Sequence, residues 1–173
     1  MTMTPHPQRP FRFGIEVIPF GSRTEWRQAA RKVEDLGYHV LQVPDHLGAP
    51  APFPALLAAA EVTGLSLGTF VMNAGFYKPA LLARDAEAVA RLTDGRLQLG
   101  LGTGYVKAEF EAAELAFPSA GRRVDHLEHI TAYIKKRLPD IPIMIAGSGD
   151  RVLTLAAQHS AIVGFPGGKP GST

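Results

Sequence analysis

Residues 95–123 read GRLQLGLGTGYVKAEFEAAELAFPSAGRR, and this stretch decides how the rest of the chain is understood. It opens on Arg96-Leu97-Gln98-Leu99-Gly100-Leu101, where apolar side chains alternate as they do along a β-strand. Gly100, Gly102 and Gly104 mark the exit from that strand, and helical sequence resumes over 106–115. Glycine allows a positive φ and a close approach to the main chain. A glycine-rich turn between a strand and a helix also presents backbone N–H groups to an anion. Taken alone, the G-x-G-x-G spacing fits a plain tight turn equally well.

The same strand–turn–helix unit recurs on both sides. Upstream, residues 11–20 read as a strand, and Ser22-x-x-Glu25 is a capping box for a helix whose apolar stripe is Trp26, Ala29, Ala30, Val33 and Leu36. Residues 38–43 form a second strand leading into Pro44-Asp45-His46. Pro54 starts a short Ala/Leu-rich helix, and 65–72 form a third strand. Pro79 opens a helix that Asp94-Gly95 ends. Downstream, residues 122–138 carry Val124, Leu127, Ile130, Ile134 and Leu138 on one side of a longer helix. Residues 141–146 form an apolar strand, 151–159 a helix and 161–165 a sixth strand.

Strand starts near 11, 38, 65, 96, 141 and 161 are separated by 27, 27, 31, 45 and 20 residues. Such alternation predicts parallel strands with right-handed crossovers. An open doubly wound sheet and a TIM-type barrel both satisfy it. Barrel units of about 30 residues match the spacing, and six units fall short of the usual eight. The expectation is an α/β fold of TIM-barrel-type (βα) units, about six of eight, forming an incomplete barrel. One domain is expected over 11–166, with a flexible arm over 1–10 and a flexible tail over 167–173.

Composition narrows the function classes. A net charge of +2 over 173 residues gives little support for nucleic-acid binding. The chain has no cysteine, which removes disulfides, a thiol nucleophile and cysteine-based metal sites. The start MTMTPHPQRP has no apolar core, so it is not a secretory signal. No apolar run approaches the ~20 residues of a membrane span. A soluble cytoplasmic protein without a metal site is expected.

Several stretches together resemble the luciferase-like flavin- and deazaflavin-dependent oxidoreductases, a TIM-barrel superfamily. They are Val43-Pro44-Asp45-His46; Leu67-Gly68-Thr69-Phe70-Val71-Met72-Asn73; Pro79-Ala80-Leu81-Leu82-Ala83-Arg84; the run from Asp94 to Gly104; Arg122-Arg123-Val124-Asp125-His126-Leu127-Glu128; and Ile143-Met144-Ile145-Ala146-Gly147-Ser148-Gly149. The likeness is closest to the probable coenzyme F-420-dependent oxidoreductases. It implies a hydride transfer or monooxygenation of a small organic substrate, with coenzyme F-420 as cofactor and FMN as the alternative. Exposed parallel strand edges and a large apolar surface inside a half-barrel predict a homodimer or higher oligomer, and the resemblance implies the helices over 54–63 and 80–93 as contacts. Three departures stand beside it. Family members run to roughly 300 residues, an insertion before the fifth strand is missing at Leu138-Pro139-Asp140, and Ala161 replaces a common Asp. They keep open a second reading, a non-catalytic cofactor-binding or structural subunit derived from that family.

Parallel α/β sites lie at strand carboxyl ends. That rule selects His46, Asn73, Gly102, Thr103, Gly104 and Tyr105, and Gly147, Ser148 and Gly149. The resemblance places His46 beside the (deaza)flavin ring, where an imidazole can gain or lose a proton near neutrality, with Asp45 to orient it. It makes the Phe70–Val71 peptide a cis bond behind the ring. It puts Tyr105 where some relatives carry an acidic proton donor, although a phenol is a far weaker acid. Asn73 and Thr103 would give polar contacts, and the two glycine turns would hold phosphate. Elsewhere, Glu16 on the first strand either points into the barrel interior or pairs with an arginine, the pairing being the favoured expectation. Arg122 and Arg123 with Asp125 and Glu128 are expected to form a solvated helix face, with His126 and His129 on the surface.

Overall fold

The computed structural model describes residues 11–165. The expected arm over 1–10 and tail over 167–173 lie outside the described residues. Among the described residues seven strands and six α-helices follow one another, mostly in alternation. Strand β1 (Gly14–Glu16) leads to α1 (Arg23–Asp35), β2 (Val40–Val43), α2 (Pro52–Ala60), β3 (Ser66–Thr69) and β4 (Met72–Asn73). A 3-10 turn (Ala74–Phe76), α3 (Pro79–Leu92), β5 (Leu97–Gly102), α4 (Lys107–Ala112) and α5 (Ala120–Arg137) follow. The described chain closes with β6 (Ile143–Ala146), α6 (Asp150–His159) and β7 (Ile162–Gly164).

All strand pairs are parallel, in the order β1-β2-β3-β5-β6-β7, with β4 continuing the line of β3 beside β5. The order never reverses. This is the sequential winding of a barrel, not of a doubly wound sheet. The result is an incomplete barrel: six strand positions form an arc, and β1 and β7 do not pair with each other among the described residues.

Local chemistry accounts for the element ends. Ser22 and Glu25 make the capping box that starts α1, and Gly37 at φ +83° follows its end. Pro79 occupies the first turn of α3, where its missing N–H has no partner to lose. Lys135, Lys136 and Arg137, the longest basic run of the chain, close α5 at the negative end of its dipole. Arg96 ties the lower rim together: its guanidinium donates to the carbonyls of Thr93, Thr63, Leu65 and Ala60 at 2.7–3.2 Å. No helix among the described residues is long and apolar enough to cross a membrane.

The structure corrects two expectations about the sheet. The third strand is not continuous over 65–72 but stops at Thr69 and resumes at Met72, on either side of a cis Phe70–Val71 peptide. The first strand shrinks from 11–20 to three residues, since Pro19 cannot donate to a ladder and Gly21 turns the chain at φ +65°.

Each sheet face has a distinct character. The helix-facing side holds the core: Leu41, Leu67, Leu97, Leu99, Leu101, Ile143 and Ile145 are buried against the stripes of the helices. The concave side carries Gln42, Gly68 and Gln98 in register, with Ser66 below. Arg12 donates to Ser66 Oγ at 2.7 Å, and the Gln98 amide oxygen accepts from the same guanidinium at 3.1 and 3.2 Å. An open barrel interior was expected to leave a large apolar surface. In this arc much of that face is polar and hydrogen-bonded instead.

Candidate functional site

A cleft of about 910 Å³ opens at the carboxyl ends of the strands, a size typical of small-molecule sites. Asp45, His46, Phe70, Val71, Asn73, Gly102, Thr103, Gly104, Tyr105, Gly147, Ser148 and Gly149 all line it. The structure thus brings every candidate site residue into one space. Parallel winding explains this, because each segment directly follows a strand.

Several of these residues are held differently from expectation. His46 is oriented not by Asp45 but by Glu109, whose Oε1 lies 2.7 Å from His46 Nδ1. Asp45 turns the other way, and its Oδ2 accepts the Asn73 N–H at 3.0 Å. Burial pushes the Asp45 carboxyl above the usual range, with Asn73 N–H and the Tyr77 hydroxyl opposing the shift. The Tyr77 phenol is driven up in turn, first by burial and then by the Asp45 charge. Tyr105 is 76% exposed at the mouth, its ring edge-on to His46 with centroids 6.3 Å apart.

The two glycine turns differ in kind. A Cβ on Gly102 would strike Val71, and one on Gly104, at φ +71°, would fall on the Asn73 amide. The first turn therefore exists largely to let protein approach protein. Asn73 Oδ1 is itself engaged by Gly75 N–H at 3.0 Å. At the second turn a Cβ on Gly149 meets nothing within 4 Å. Gly149 is the N-cap of α6 and supplies no side-chain cap, so the first N–H groups of α6 have no side-chain acceptor at its positive end.

Sequence reasoning missed Glu109 and Arg123, and for Glu16 it favoured the arginine pair over the interior position. Glu109 follows no periodic signal and stands 63 residues from His46. It is aimed by its neighbour Phe110, fully buried and packed between Phe76 and Phe117 with ring centroids 5.2 and 5.1 Å away. Arg123 is no solvated helix residue. It lines the cleft, its guanidinium lies 4.3 Å over the Phe117 ring, and its Nη1 donates to the Pro118 carbonyl at 2.6 Å. Its Nε is shut off from solvent without a hydrogen-bond partner. A signal existed: Arg123 precedes Leu127 by four residues, on the buried phase of α5. Glu16 has no arginine partner among the described residues and lines the cleft. Asp125 pairs with Arg151 at 2.7 Å, which joins α5 to the start of α6. His126 is not a surface residue either. Its Nε2 lies 3.1 Å from the carbonyls of both Ala74 and Tyr77, and so donates to them.

The family model for luciferase-like monooxygenases matches residues 8–131. Among curated relatives, the 5,10-methylenetetrahydromethanopterin reductase of Archaeoglobus fulgidus is 26% identical over 168 residues, covering 85% of this chain and 50% of that protein. The coenzyme F420-dependent tetrahydromethanopterin reductase of Methanopyrus kandleri superposes with a TM-score of 0.73 at 22% identity, covering 89% of this chain and 55% of that one. The oxygenating constituent of 3,6-diketocamphane monooxygenase of Pseudomonas putida, in complex with FMN, superposes with a TM-score of 0.64 at 15% identity, covering 79% and 51%. The two structural likenesses show the fold. The chain spans about half the length of the curated relatives it matches.

Proposed function

The chain belongs to the luciferase-like monooxygenase family, and on that premise we propose that it is an oxidoreductase using coenzyme F420, with FMN as the alternative, on a small organic substrate. One observation carries the reading. A single cleft gathers a protonatable residue, His46, together with an anion-seeking side built from the uncapped start of α6 and Arg123. The donor set fits a flat ring with a phosphorylated tail. Unspent N–H groups at a helix start and the charge of the Arg123 guanidinium, which lines the cleft, complement an anion. Phe70 and Val71 would back the ring, and Ser148, Gly149 and Arg123 would hold the tail.

When bound, either cofactor exchanges hydride with the substrate, and FMN in addition activates oxygen. The chain's own part is positional. His46 holds or takes a proton at the nitrogen that Glu109 leaves free, and Tyr105 stands at the mouth beside it. The second reading, a non-catalytic cofactor-binding or structural subunit, would show as saturable cofactor binding with no hydride transfer.

Titrating the protein with F420 and, separately, with FMN by absorbance and fluorescence tests the proposal. Saturable binding of one of them is expected. Gly149→Asp places a carboxylate where an anion would sit, in space that accepts a Cβ without contact. Affinity should fall at least about tenfold, or 1.4 kcal/mol. His46→Ala should slow hydride transfer more than it weakens binding. Unchanged affinity in a folded Gly149→Asp variant would leave the glycine turn a purely structural feature.

A further inference from the structure

Glu109 has no place in the reading above beyond its contact with His46, yet the fold invests heavily in it. Helix α4 is only six residues long. It is fixed to the body of the protein by Phe110, the aromatic wedge between Phe76 and Phe117. A side chain one residue before such an anchor has little freedom to move. Glu109 carries 15% side-chain exposure, against 40% for His46. The other carboxylates on this side do not compete for the ring by hydrogen bonding. Asp45 is bound to Asn73 N–H, and Glu16 makes no hydrogen bond to His46.

A carboxylate can only accept. At 2.7 Å from Glu109 Oε1, His46 Nδ1 must therefore carry the ring proton. We propose that Glu109 is a positioning residue that locks His46 in the Nδ1–H tautomer, leaving Nε2 as the ring's bare nitrogen for the cleft. Without the acid, a neutral imidazole would distribute its proton between both nitrogens and rotate about χ2. With it, one nitrogen and one orientation are selected before any ligand arrives. The consequence is a defined polarity at this point. A group bound against His46 meets an acceptor when the ring is neutral and a donor when it is charged, always at the same atom. The catalytic value of that lock rests on the oxidoreductase reading; the lock itself does not.

Long-range proton–nitrogen NMR of the histidine-labelled protein, without cofactor and at alkaline pH where imidazoles are neutral, reads the tautomer directly. The expected spectrum of His46 shows a protonated Nδ1 and an unprotonated Nε2. Glu109→Ala should shift the ring toward a tautomer mixture while the other histidine signals stay in place. Lys107→Ala, two residues away on the exposed side of α4, should change nothing at His46. An Nε2–H ring in the unmodified protein overturns the proposal even if Glu109→Ala fails to fold. An unchanged His46 spectrum in a folded Glu109→Ala protein overturns it equally. Cofactor binding does not enter the measurement, so failure of the cofactor reading and failure of the lock remain distinguishable.

Discussion

His46 and Asp45 are neighbours in sequence that serve different structures. The backbone turn after β2 points His46 into the cleft toward α4 and Asp45 back toward the start of the 3-10 turn. The Asp45 carboxyl is raised because burial disfavours its charge more than Asn73 N–H and Tyr77 favour it. A raised acid binds its proton more readily folded than unfolded. Its ionisation therefore detracts from stability above the folded pKa, and the loss is recovered as pH falls through the range between the folded and unfolded values. Asp45→Asn keeps an acceptor for Asn73 N–H and removes the buried charge. The variant should be more stable than the parent at neutral pH, with the gain shrinking to nothing below about pH 4, where an unfolded aspartate is also protonated. Urea titrations at several pH values check this. A neutral-pH loss of stability would mean that the Asp45 charge is needed by His46 or Tyr77.

Among the elements, the broken strand β3–β4 is the one on which the site depends. Where the ladder stops, the Thr69 hydroxyl takes over. It donates to the Gly100 carbonyl and accepts the Gly100 N–H, both at 2.9 Å, in a fully buried position. Gly100 is required there, since a Cβ would fall on the Thr69 carbonyl oxygen. The pairing then resumes at Met72 beside Leu101. Thr69→Val preserves shape and strips both bonds, leaving two buried backbone groups without partners. It should cost about 2–4 kcal/mol, measured by denaturant unfolding, whereas Thr69→Ser should retain most of the stability. Equal stability of the valine variant would show that Gly100 finds other partners.

At the scale of the whole molecule the open arc is the dominant fact. Among the described residues both edge strands present unpaired backbone groups, and apolar side chains stand exposed beside them: Phe11 at 87% and Phe13 at 62% next to β1, Phe165 at 71% beyond β7. Open edges and exposed aromatics favour association. We propose a homo-oligomer, and the family resemblance points to α2 and α3 as contacts; Leu81 and Leu92 on α3 are exposed. The polar concave face contributes less to this than an apolar interior would. Light scattering at micromolar concentration should give at least a dimer mass, and a monomer mass would remove the proposal.

The alternation of strand and helix and the helix starts at Ser22 and Pro79 were legible in the sequence, because each depends on neighbours within a few residues. So was the gathering of His46, Tyr105 and Gly147 to Gly149 in one place, since parallel winding puts every strand end on the same side. The sequential strand order was read only through the family resemblance, since alternation alone also fits a doubly wound sheet. The partners of those residues were not legible. Glu109 and His46 meet only because Phe110 wedges α4 against Phe76 and Phe117. Arg123 turns inward because α5 carries its buried phase back to its first turn. The break at Thr69 needs Gly100 on another strand. Local chemistry set the elements, while groups 31 and 63 residues apart acquired their chemical meaning only when packing held them within hydrogen-bonding reach.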